Sequence, residues 1–164
     1  MIHMKKPEKF RMVFDCAAQY GQTSLNSSIM QGPDLMNSLI GVLLRFRLHE
    51  TAITSDIEGM FHQIRVCEEH RDLLRFLWWK NGDPSQEIEV YRMTAHLFGG
   101  IWSPSCANFA LKQVAKDENE ASDKVKDVIN TNFYVDDCMV STETVEEAVK
   151  GPVRLLGQIC LMSI

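Results

Sequence analysis

The sequence predicts an α+β fold, an antiparallel sheet with helices on one face. Three observations carry this. Short β-type runs alternate irregularly with helical ones, and the segment NFYVDDCMVST has the strand, turn, strand pattern of a hairpin. The length of 164 residues, 45% hydrophobic and 24% charged, suits one globular domain rather than a disordered or fibrous chain. No repeat, low-complexity tract or linker interrupts it, so the chain is read as one unit.

The elements follow from local pattern. Phe10 to Phe14 alternates like a short strand, and Gly21 to Gly32 is rich in Ser, Asn, Gln and Gly, as loops are. Asp34 is placed to cap a helix over Leu35 to Arg47, with Leu39, Val42, Leu43 and Phe46 on one face. TAITSDI is a β-branched run, HQIRV alternates, and LLRFLWW and EVYRMT are two further strands around the turn residues Asn81, Gly82, Asp83 and Pro84. Trp78 and Trp79 belong to that sheet. Ser103 and Pro104 open a helix running to about Ala115, through a capping hydroxyl and a pre-set φ. Asp117 to Asp127 is acidic and reads as a solvated helix end and loop. Thr144 and Glu147 have capping-box spacing, and Gly151-Pro152 predicts a kink or break in the helix that follows.

Charge and composition narrow the function. The net charge of −5 disfavours a freestanding nucleic-acid binder, because such binding relies on basic side chains neutralising phosphates. The charge is uneven, however: residues 1–50 carry six basic and four acidic groups, the remainder eleven and eighteen. A phosphate-facing surface is therefore sought around Lys5, Lys6, Lys9 and Arg11. The longest apolar run, Leu39 to Leu44, is far short of the ~20 residues a membrane helix needs, and the first residues lack a signal-peptide pattern. The expectation is a soluble, intracellular protein of cytoplasm or nucleus with no membrane partner. Cys16, Cys67, Cys106, Cys138 and Cys160 show no C-x-x-C pair and no nearby histidine of zinc-site spacing, so they read as reduced, buried thiols.

Chemistry is suggested by Asp56, ending one apolar strand, and by Asp136 and Asp137 at the hairpin tip. Hard divalent cations prefer oxygen ligands, and if the hairpin lies beside the Asp56 strand these carboxylates meet. Two ions ~3.5–4 Å apart could then activate an attacking hydroxyl and stabilise a leaving oxygen. Neighbouring strand residues point to opposite faces, so one aspartate, Asp136, is read as the ligand and Asp137 as its support. Acidic pairs in turns are also commonly just solvated.

Four stretches, in order, carry a family resemblance. They are KKPEKFRMVFDCAAQYGQTSLN from Lys5, SDIEGMFHQIRV from Ser55, HLFGGIWSPSCANFAL from His96 and FYVDD from Phe133. Together they resemble the reverse transcriptase domain of long-terminal-repeat retrotransposons, most closely the Pao type. The resemblance implies an RNA-directed DNA polymerase of a transposable element, with a palm and partial fingers (residues 1–50 mostly fingers, 51–164 mostly palm). It implies two Mg²⁺ ions, or Mn²⁺ in their place, held by Asp56, Asp136 and the Ile57 carbonyl, with Asp137 beside them. Nucleotide-binding roles carry over to Arg11 and Lys6 on the triphosphate, to Phe61 beneath the sugar, and to Phe98 and Gly99 of the glycine loop, Phe98 standing where many relatives have glutamine. Gly100 would share the loop's close approach. Ser103 and Pro104 are read as starting a helix, His62 and Gln63 as packing or template-side residues. Implied partners are an RNA or DNA template-primer, deoxynucleotides and the remaining polyprotein domains. The family's glycine-turn and lysine motif, primer-gripping hairpin and thumb have no counterpart, so the expectation is a domain truncated before the thumb and weak or inactive alone. A catalytically dead palm serving as a nucleic-acid-binding or interaction module is the main alternative, and a metal-dependent nuclease or phosphatase the next.

Overall fold

The computed structural model describes residues 12–117 and 123–153. In chain order its elements are α1 (Leu25–Ser28), α2 (Leu39–Phe46), β1 (Thr51–Asp56), α3 (Met60–Gln63), a 3₁₀ turn (Glu68–Leu74), β2 (Arg75–Trp79), β3 (Ile88–Arg92), α4 (Ser103–Asp117), α5 (Asp123–Thr131), β4 (Phe133–Tyr134), β5 (Asp137–Thr142) and α6 (Val145–Ala148), followed by a π-helical turn over Val149–Val153. The strands form two sheets, one of order β1-β5-β4 and one pairing β2 with β3, all antiparallel. The mixed helix and antiparallel-sheet class is therefore as the sequence predicts. No helix among the described residues is long and apolar enough to cross a membrane.

The chain gathers into two compact units, each built from separate stretches: Phe61–Ser103 with the chain up to Gln31, and Gly32–Met60 with the chain from Pro104. In the first, β2 and β3 pair from Arg75↔Arg92 to Trp79↔Ile88 around a turn in which Asn81 and Gly82 take positive φ. Phe14 packs edge-on against Phe76, and Phe76 stacks with Tyr91. In the second, α2, α5 and α6 contact the three-stranded sheet. Val42, Leu111, Ala115, Ile129, Phe133, Cys138, Val140 and Ala148 are buried there.

Several boundaries differ from the sequence reading. The helix expected over Leu35 to Arg47 begins at Leu39 and is capped by Ser38, whose Oγ accepts the Gly41 N–H. Asp34 instead accepts the Met36 N–H, a local turn that competes with helix. Tertiary hydrogen bonds explain the delay: Ser105 Oγ donates to the Pro33 carbonyl, Lys112 Nζ to the Leu35 carbonyl and Asn37 Nδ2 to the Phe133 carbonyl. Of the four residues expected on its inner face only Val42 is buried. Met12 to Phe14 lie in no strand, and Phe10 and Arg11 fall outside the described residues. HQIRV is not a strand either. His62 and Gln63 finish α3, and only the bridge Arg65↔Ala95 survives of the alternation. The acidic stretch ends in a helix from Asp123. Ser103 does start α4, but its buried hydroxyl donates to the Leu97 carbonyl at 2.9 Å. Thr144 caps α6 by accepting the Glu147 N–H, and over Val149–Val153 the backbone is π-helical rather than α, in line with the break in the α-helix expected at Gly151-Pro152.

Candidate active site

The site is set by the register of β1 on β5. Six consecutive pairs run from Thr51↔Thr142 to Asp56↔Asp137, so the strand ends with two carboxylates directly opposite each other. One residue further, the Ile57 N–H donates to the Asp136 carbonyl at 3.0 Å. Asp56, Asp136 and Asp137 thus share one end of the sheet, and the sequence-level condition that the two segments lie side by side is met. The position of the turn differs from the sequence reading. Its two residues are Val135 and Asp136, while Asp137 already begins β5 and pairs with Tyr134.

That turn is strained. Val135 has φ +57°, a conformation that suits glycine at the first position of a tight hairpin and costs a β-branched residue ~1–2 kcal/mol. Its surroundings hold it there. Phe133 and Cys138, a cross-strand pair, are both buried beneath the turn. Burial pushes the Cys138 thiol up to about 12, so it is an inert packing group rather than a nucleophile. At the hairpin base, Asn132 donates through Nδ2 to the Met139 carbonyl at 2.8 Å, accepts from Thr131 Oγ1 at 2.7 Å, and accepts the Met139 N–H on its backbone carbonyl. Asn37 ties the Phe133 carbonyl, Arg45 donates to the Thr131 carbonyl, and Ser141 Oγ donates to the Arg45 carbonyl. The sequence reading missed these positioning residues. An asparagine at the mouth of the hairpin was their one visible signal.

Three acidic groups at one edge repel one another. The Asp137 carboxyl is raised above its ordinary range, first by desolvation, then by the charges of Asp136 and Asp56. The carboxylates are accordingly splayed: among the described residues only Cys67, Glu69 and His70 place three donor atoms within 4.8 Å of one another. A divalent cation between the aspartates would reverse the sign of that repulsion. Their oxygen-only donors fit a hard cation such as Mg²⁺ or Mn²⁺. The Ile57 carbonyl already accepts the Met60 N–H at 3.2 Å and keeps one lone pair for such an ion.

Of the residues assigned to the nucleotide, Phe61, Phe98 and Gly99 belong to the first unit. Phe61 meets Phe98 edge-on with ring centroids 4.8 Å apart, and His62 meets the same ring at 5.1 Å. Gly99 has φ +113°, and a Cβ there would lie 1.9 Å from the Phe14 carbonyl oxygen; one on Gly100 would lie 2.6 Å from the Trp102 ring. The space these glycines leave is thus filled by the chain itself. Lys6 and Arg11 lie outside the described residues. Trp78 and Trp79 are in β2, as expected of sheet residues.

Cysteine use also departs from the sequence reading. Cys16 and Cys138 are buried, Cys106 is half-buried, but Cys67 is exposed and has His70 three residues on, a spacing the sequence showed.

No family model and no curated protein matches the chain. Among solved structures it resembles a foamy viral protease-reverse transcriptase in complex with double-stranded DNA, with a TM-score of 0.66 and 21% identity over 94% of this chain. The chain spans 23% of the length of that protein. The fold that positions Asp56, Asp136 and Asp137 is therefore reverse transcriptase-like.

Proposed function

We propose that this chain is the reverse transcriptase domain of a Pao-type retrotransposon, an RNA-directed DNA polymerase made of a palm and partial fingers. One observation carries the reading: the β1–β5 register sets Asp56 opposite Asp137 and hydrogen-bonds Ile57 to the Asp136 backbone. The likeness to a viral reverse transcriptase and the order of four motifs in the sequence support it.

In this reading Asp56, Asp136 and the Ile57 carbonyl hold two divalent ions and Asp137 is the adjoining carboxylate. The ions, when bound, supply charge neutralisation for attack of a primer 3′-hydroxyl on the α-phosphate of a deoxynucleotide, with pyrophosphate leaving. The protein's part is positioning: a short hairpin braced at its base by Asn132 holds the acidic groups, so little has to reorganise during reaction. Lys6 and Arg11 neutralise the triphosphate. Phe61, steadied by Phe98, excludes a ribose 2′-hydroxyl, and Gly99, packed on the Phe14 carbonyl, holds the loop that carries Phe98. The expected partners are a template-primer and deoxynucleotides, with the domain weak on its own.

Primer extension on an RNA template with Mg²⁺ and deoxynucleotides tests the proposal. Extension that falls to background in Asp136→Asn supports it. Extension that survives the substitution refutes the assigned site. A folded chain that extends no primer, but retains template-primer in a binding assay, is a nucleic-acid-binding module instead. The sugar discrimination is checked separately by Phe61→Val, which should admit ribonucleotides; unchanged selectivity refutes that role.

A further inference from the structure

The 3₁₀ turn of the first unit carries a second donor cluster of different chemistry. Cys67 precedes the turn with extended backbone (φ −59°, ψ 146°), and the His70 N–H donates to the Cys67 carbonyl at 3.0 Å. This bond closes the chain at the head of the turn and brings the thiol and the imidazole to the same side. Cys67 Sγ lies 3.0 Å from His70 Nδ1 and 3.9 Å from Glu69 Oε1, and Glu69 Oε1 lies 4.0 Å from His70 Nε2. One ligand atom from each residue falls within 4.8 Å of the other two. The turn is anchored on both sides, by buried Val66, whose carbonyl accepts from Arg71 Nε, and by buried Leu74.

Bond lengths to zinc of ~2.3 Å for sulfur and ~2.0–2.1 Å for nitrogen or oxygen, at tetrahedral angles, put donor atoms about 3.3–3.6 Å apart. The separations from Cys67 Sγ, 3.0 Å to His70 Nδ1 and 3.9 Å to Glu69 Oε1, fall on either side of that range. All three side chains are exposed, so a small torsional adjustment meets no packed neighbour. We propose that Cys67, Glu69 and His70 form a three-donor site for a borderline-soft divalent ion of the zinc class, with a fourth position open to water or a further ligand. Thiolate and imidazole select zinc, cobalt or nickel over magnesium and calcium, the opposite preference to that of the aspartate cluster. Coordination replaces the thiol proton, which passes to solvent, so binding weakens as pH falls.

The test uses the chain without a histidine tag, stripped by chelator and titrated with Co²⁺ as a spectroscopic substitute for zinc. The expected result is saturable binding of one ion with a thiolate-to-cobalt charge-transfer band that one equivalent of Zn²⁺ bleaches. Cys67→Ser abolishes the band, and His70→Gln or Glu69→Gln weakens binding by at least the roughly tenfold that loss of even an outer-shell partner costs. On the unsubstituted chain, Zn²⁺ protects Cys67 but not Cys106 from alkylation, read by peptide mass mapping; this arm decides the matter if a variant misfolds. Absence of the band, its persistence in Cys67→Ser, or alkylation of Cys67 indifferent to Zn²⁺ overturns the site.

Discussion

Gly99→Ala is the sharpest test of how the glycine loop is built. The added Cβ would stand 1.9 Å from the Phe14 carbonyl oxygen, and ordinary contact begins at 3.4 Å, so that carbonyl must retreat by about 1.5 Å. The movement drags Phe14 away from the Phe98 carbonyl, to which its N–H donates at 3.0 Å. Three costs combine: about 1–2 kcal/mol for an L-residue at positive φ, about 0.5–1.5 for the hydrogen bond, and about 1–3 for overpacking. Together they make about 2.5–6.5 kcal/mol, a large part of the ~5–15 kcal/mol stability of a typical domain. Gly21→Ala is the control in the same unit, because Gly21 has φ +65° with nothing within 4 Å of an added Cβ, and should lose only the conformational ~1–2 kcal/mol. Trp78, Trp79 and Trp102 all belong to this unit, so tryptophan fluorescence during urea unfolding reports on it. If Gly99→Ala loses no more than Gly21→Ala, the close approach of Phe14 is wrong, and the glycine is to be explained by something outside the chain.

Three further outcomes are expected. Asp137→Asn should raise stability at neutral pH by up to about 0.5 kcal/mol, small because the group is exposed; as its carboxyl is raised in the folded state, the parent should gain stability as pH falls from the folded toward the unfolded carboxyl value and lose it above, a dependence the variant lacks in denaturation midpoints measured across pH. Val135→Gly should stabilise the chain by about 0.5–1 kcal/mol by relieving the positive φ, read as a rise in the thermal midpoint, and a fall would mean that the turn is not strained. Ser103→Ala should cost about 1–3 kcal/mol in urea unfolding, because it leaves the Leu97 carbonyl without its buried donor.

Strands with strong local signatures were legible from residues alone. TAITSDI, LLRFLWW and EVYRMT became β1, β2 and β3, and NFYVDDCMVST became the β4–β5 hairpin, because β-branched and aromatic runs bounded by turn residues have few competing conformations. Helix α4 was legible through Ser103 and Pro104, although the hydroxyl serves the Leu97 carbonyl. The start of α2 was not: Asp34 offers a good cap, yet Ser105 and Lys112, 72 and 77 positions away in sequence, donate to the Pro33 and Leu35 carbonyls, and Asn37 itself reaches the Phe133 carbonyl. Propensity is a weak prior, and hydrogen bonds between segments distant in sequence outweigh it.

The candidate site divides along the same line. Which residues could bind a cation was written in the chain, since Asp56 ends β1 and Asp136 and Asp137 stand in and just after the hairpin turn. Which of them face each other was settled by register, a property of two strands whose paired residues lie 81 to 91 positions apart and that no local pattern encodes, and it put Asp137 rather than Asp136 opposite Asp56. The Cys67–His70 pair reverses the case. Its spacing stood in the sequence throughout, but only the fold of the backbone at the head of the 3₁₀ turn, closed by the His70 N–H on the Cys67 carbonyl, turns that spacing into a thiol and an imidazole 3.0 Å apart.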